Sequence, residues 1–122
     1  MISTTIEQSK ELLRLGVDIN TADMCWMNDK YDGWYLDLHS YSSVTIPKYS
    51  CDKKEDVLLP SWSLSALLKL MPLGARLLKG ATSGVFHVDC PNKGNSSWVN
   101  EPIDAAFIFI CQYLKSRQLY TV

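Results

Sequence analysis

Met24-Cys25-Trp26-Met27-Asn28-Asp29-Lys30-Tyr31-Asp32-Gly33-Trp34-Tyr35-Leu36-Asp37-Leu38-His39 is the stretch that decides the fold class. Two apolar-rich runs, Met24–Asn28 and Trp34–His39, flank Asp29–Gly33, a turn-forming connection that ends in glycine, as β-hairpins require. The second run alternates, with Trp34, Leu36 and Leu38 on one face and Tyr35, Asp37 and His39 on the other. A period of two with one apolar side is the pattern of a half-buried strand in an antiparallel sheet.

Working outward, Thr4-x-x-Glu7 has the form of a capping box, and Ile6, Leu12, Leu13 and Leu15 follow as an apolar stripe closed by Gly16. This predicts a helix over residues 5–15, with a turn at Asn20–Asp23. Downstream, the polar groups Ser40–Ser43 and Cys51–Asp56, interrupted by Val44, Ile46 and Val57–Leu59, predict a surface loop holding a short strand across 40–60. Pro60-Ser61-Trp62-Ser63 leads into Leu64, Leu67, Leu68 and Met71, a helical stripe with a serine at its start and Pro72 as its stop. Arg76–Lys79 and Val85–Cys90 flank Gly80–Gly84 as a second hairpin, with Phe86, Val88 and Cys90 facing opposite to Val85, His87 and Asp89. Pro91–Ser97 is expected to be a loop, and Trp98-Val99 a short edge segment.

Glu101-Pro102-Ile103-Asp104 opens a last helix, since acidic residues offset the helix dipole and proline is tolerated in the first turn. Its stripe of Ile103, Ala106, Phe107, Ile110 and Leu114 is widened by Ile108, Phe109 and Tyr113, which makes it a central helix. The expected architecture is α+β in the order α-ββ-α-ββ-α. Paired strands between helices point to an antiparallel sheet of about four strands packed against helices, a single two-layer domain over residues 1–122.

Composition fits that expectation. Of 122 residues, 47% are hydrophobic and 20% charged, which is ordinary for a globular chain and excludes a disordered linker. The net charge of −1 excludes a histone-like or tail-driven nucleic-acid binder. Glu7 and Glu11 interrupt the opening segment, so it does not read as a secretory leader, and the longest apolar run, Ala105–Cys111, is far short of the ~20 residues that span a bilayer. The four cysteines, at 25, 51, 90 and 111, form no C-x-x-C pair and match no zinc spacing. They are expected to be reduced, buried thiols in a cytoplasmic protein that needs no cofactor.

Three segments taken in order, Thr21-Ala22-Asp23-Met24, Pro60-Ser61-Trp62-Ser63-Leu64-Ser65-Ala66-Leu67-Leu68 and Glu101-Pro102-Ile103-Asp104-Ala105-Ala106-Phe107, resemble uncharacterised small proteins carried by prophages and other mobile elements of gut anaerobic bacteria. The resemblance runs from about Ser9 to Leu119. It implies a context, an accessory product acting inside a bacterial cell, and it brings no catalytic residue with it.

Candidate chemistry is sparse. Asp37-x-His39 and His87-x-Asp89 each place a carboxylate and an imidazole on one strand face, and on neighbouring strands they would converge on a cation or serve a small metal-dependent or hydrolytic enzyme. Both pairs, however, occupy the polar side of strands whose other side is apolar, where solvent-facing residues belong, so no metal is expected. Gly80–Gly84 offers backbone N–H groups to a phosphate but lacks the Gly-Lys-Ser/Thr ending of a P-loop, and a hairpin loop explains it. Cys25, Cys51 and Cys90 are formal nucleophiles for His39 or His87 with no local signature. Asp52, Glu55 and Asp56 alternate with Lys53 and Lys54 as a solvated run does.

Charge is unevenly spread: residues 1–60 hold 10 acids and 6 bases, and residues 61–122 hold 3 acids and 6 bases. Lys69, Arg76, Lys79 and Lys93 form a modest basic set, an alternative nucleic-acid site, although the weak net steering disfavours nucleic acid as a partner. Tyr31, Trp34, Tyr35, Tyr41 and Tyr49 crowd the first half beside turn residues, more aromatics than one small core absorbs, and such residues anchor recognition surfaces. The expected function is therefore a non-enzymatic interaction protein that binds another macromolecule, with a homodimer as one arrangement.

Overall fold

The computed structural model describes residues 1–29, 31–38, 57–81, 83–91 and 93–119. The chain is α+β. Its elements are α1 (Ile6–Arg14), a 3-10 turn (Ile19–Thr21), β1 (Met24–Asp29), β2 (Gly33–Asp37), β3 (Leu58–Ser61), α2 (Leu64–Lys69), β4 (Arg76–Lys79), β5 (Phe86–Cys90), β6 (Gly94–Asn95) and α3 (Pro102–Leu119).

Instead of one four-stranded sheet, the described residues build two antiparallel three-stranded sheets, ordered β2-β1-β3 and β4-β5-β6. The expected α-ββ-α-ββ-α order is corrected by one added strand after each hairpin. β3 takes the free edge of β1, with Cys25 opposite Pro60 and Met27 opposite Leu58, so that edge is no longer open to the second hairpin. β6 likewise caps β5, with Asp89 opposite Asn95. β6 lies in a stretch expected to be loop, and β3 at the end of the surface loop expected to hold a short strand. Leu58–Ser61 is instead fully buried along its whole length, and Pro60 is accommodated there because an outer strand leaves one side free of donors.

The hairpins themselves follow their sequence pattern. In the first, Trp26 faces Leu36 and Met27 faces Tyr35, and Gly33 adopts the positive φ of 80° that closes the turn. In the second, Leu77 faces Val88 and Leu78 faces His87. Gly80 N–H donates to the Val85 carbonyl at 2.7 Å and completes that turn.

α1 and α2 start where polar side chains satisfy free N–H groups. The capping box of α1 is Thr5 with Gln8, one residue later than Thr4-x-x-Glu7. Thr4 is taken elsewhere: its Oγ1 accepts from the Trp62 N–H at 3.1 Å and lies 2.8 Å from Ser9 Oγ, inside a buried cluster with Ser3 and Ser61. Ser63 caps α2 through the Ala66 N–H and is itself held by the Asp23 carboxylate. The main core gathers Leu12, Trp62, Leu67, Val88, Ile103, Ala106, Phe109 and Ile110, with α3 packed on α2 and on the second sheet. A small satellite core, Cys25 and Leu58 with Ile19, Met27 and Val57, backs the first sheet.

Candidate functional site

The β1–β2 hairpin carries the aromatic candidates. Tyr31 stands at its turn, 90% exposed, where its N–H donates to Asp29 Oδ1 at 2.8 Å and fixes the turn that presents the ring. Tyr35 is 46% exposed, and its hydroxyl donates to Met27 Sδ across the strand pair at 3.6 Å. Leu38, expected to share a buried face with Trp34 and Leu36, is instead exposed at the end of the strand. Trp34 is half-buried and shares with Leu36 the face opposite to Tyr35. Tyr41 and Tyr49 lie outside the described residues.

Of the two His/Asp pairs, the described members Asp37, His87 and Asp89 are divided between the two sheets. Asp37 lies on β2, opposite Cys25, whereas His87 and Asp89 lie on β5 of the other sheet. His39 lies outside the described residues. Asp89 is engaged by Arg76, whose Nη2 donates to its Oδ2 at 2.6 Å. Among the described residues no group of three or more His, Cys, Asp or Glu is placed to hold a metal ion.

The described thiols are free and buried. Cys25 is fully buried, and burial, with Asp37 nearby, pushes its pKa up to about 11, which disfavours the nucleophilic thiolate. Cys90 points into the core from the face of β5 opposite to His87, with its Sγ 3.8 Å from the Leu73 carbonyl. Cys51 lies outside the described residues, as do Asp52, Lys53, Lys54, Glu55 and Asp56.

The basic residues are spread rather than clustered. Lys69 ends α2, Arg76 and Lys79 bound β4, and Lys93 sits in the turn after β5. All four are exposed.

A contact that sequence reasoning missed joins the second sheet to the segment before α3. A bridge between Phe86 and Val99 sets Trp98 beside His87, and the two rings stack at 3.9 Å between centroids with 17° between planes. Trp98 remains 52% exposed. Eleven residues separate the two rings along the chain, so only the pairing of Val99 with Phe86 could have announced the stack. Among the described residues no helix is long and apolar enough to cross a membrane. No family model matches the chain, and no curated protein or solved structure matches it.

Proposed function

We propose that this chain is a non-enzymatic accessory protein that captures a protein partner through the β1–β2 hairpin. One observation carries the reading: Tyr31, 90% exposed, is presented at a turn fixed by Asp29, with Tyr35 half-exposed behind it. Tyrosine brings a large contact area at low entropic cost, and rings held ready on a hairpin need little ordering on binding. Trp34, Tyr41 and Tyr49 complete the proposed aromatic region. The resemblance to prophage-borne proteins supports a bacterial mobile-element product acting in the cytoplasm, and a second copy of the chain is one partner of suitable chemistry.

A photo-crosslinking amino acid at position 31, with position 112 on α3 as control, tests the reading in producing cells. A discrete adduct at 31 that is absent at 112 is expected. The double substitution Tyr31→Ser, Tyr35→Ser should weaken capture at least about tenfold, the scale of a recognition hot spot, in a variant that still unfolds cooperatively. Undiminished capture would overturn the proposal. If the adduct has twice the chain's mass and the substitution yields monomers by sedimentation, the partner is a second copy.

A further inference from the structure

The outer face of the second sheet is a separate surface, remote in topology from the hairpin. Leu77, Val88 and Cys90 turn inward to the core beneath α3. By alternation, Arg76, Leu78, His87 and Asp89 turn outward, in two cross-strand pairs: Arg76 opposite Asp89 and Leu78 opposite His87. Trp98 lies stacked on His87 at the end of this face, its indole supported on one side by the imidazole and 52% exposed. Such a ring is already ordered, so a planar group that stacks on it pays little for fixing the platform.

The surroundings are locally basic although the whole chain is not. Between residues 60 and 100, Lys69, Arg76, Lys79 and Lys93 are opposed by a single acid, Asp89. The ion pair with Asp89 leaves the Arg76 side chain 61% exposed. Lys93 follows β5 at the Arg76 end of the sheet, whereas Lys79, opposite Phe86, belongs by alternation to the inner face with Leu77. Positive charge at one end of a strand pair, with an exposed ring further along the same face, matches a ligand that alternates planar apolar groups with anions.

We propose that this face binds single-stranded nucleic acid, with one base stacked on Trp98 and backbone phosphates meeting Lys93 and Arg76. Stacking on a ring requires a base that is free of its neighbours, which a single strand offers and a duplex does not. The net charge of −1 concealed the surface because most of the acids lie in the first half of the chain.

Fluorescence anisotropy with labelled oligo-dT and oligo-rU of about 16 nucleotides, and a duplex of equal length, tests the site on the full chain. Saturable binding of either single strand is expected, with the duplex at least about tenfold weaker. Two phosphate contacts give a slope of log affinity against log salt of about −1.4. Trp98→Ala should weaken binding roughly tenfold, and Trp98→Phe should restore most of it. Lys93→Gln should flatten the slope by about 0.7, and Lys79→Gln, on the other face, should leave it unchanged. Tyr31→Ser should leave oligonucleotide binding unchanged, which separates this site from the hairpin. Absence of binding at low salt, equal affinity for duplex, or a folded Trp98→Ala variant that binds like the parent would overturn the proposal.

Discussion

Thr4 shows how far one side chain can depart from its sequence pattern. Its spacing to Glu7 fits a capping box, yet Thr5 performs that role with Gln8, and Thr4 is fully buried. Its Oγ1 accepts from the Trp62 N–H and meets Ser9, while its carbonyl accepts from Trp26 Nε1 at 2.9 Å and from Ser61 Oγ at 3.1 Å. The isosteric Thr4→Val leaves the Trp62 N–H and the Ser9 hydroxyl without that partner inside the fold. A loss of about 1–3 kcal/mol is expected from urea unfolding, the usual cost of orphaned buried polar groups. Thr4→Ser keeps the hydroxyl and should lose less. Equal losses for both variants would assign the residue's importance to its methyl group. Sequence alone could not separate Thr4 from Thr5, since both are good caps and the choice depends on a strand that arrives 57 residues later.

At the scale of elements, α1 and α3 are the segments whose sequence and structure agree most closely. Gly16, with φ of 88°, stops α1 at the expected place, and α3 begins at Pro102 beneath the acidic first turn. Thr5→Ala removes the α1 cap and should cost about 1 kcal/mol. Gln8→Ala should cost more, because the same amide also donates to Asp104 Oδ1 at 2.7 Å and ties α1 to α3. Thermal unfolding of the two variants and their double mutant checks this, and a larger loss for Thr5→Ala would refute it. On the exposed side of α1, Arg14 donates two hydrogen bonds to Glu11, which hold that carboxyl below its ordinary pKa. β3 was the hardest element to read. Leu58-Leu59-Pro60-Ser61 has no alternation because it is buried on both faces, and its proline argues locally against a strand.

Across the whole molecule, burial of thiols makes stability depend on alkaline pH. Cys25 and Cys111 are both pushed up to about 11 from 9.0, by burial first and by Asp37 and Glu11 respectively. Below pH 9 the folded and unfolded chains both hold these protons, and the stabilising difference is fully present. Between about pH 9 and pH 11 the unfolded chain releases protons that the folded chain keeps, so stability falls as pH rises. The urea midpoint should therefore drop between pH 8 and pH about 10, and should drop less in a Cys25→Ala, Cys111→Ala variant. Parallel curves for the two proteins would show that other groups control alkaline unfolding.

What the sequence determined by itself was local: the α+β class, the two hairpins, the short helix capped by Ser63 and the central apolar helix. Each rests on spacing within a dozen residues, where hydrophobic period, caps and turn residues act directly. Tertiary structure alone decided that β3 and β6 complete two separate sheets, that Asp37 and the His87/Asp89 pair lie apart, and that Trp98 rests on His87. Those outcomes depend on which strand edge a distant segment occupies. Backbone hydrogen bonding is indifferent to side-chain identity, so edge choice is set by the packing of the whole chain rather than by any local pattern.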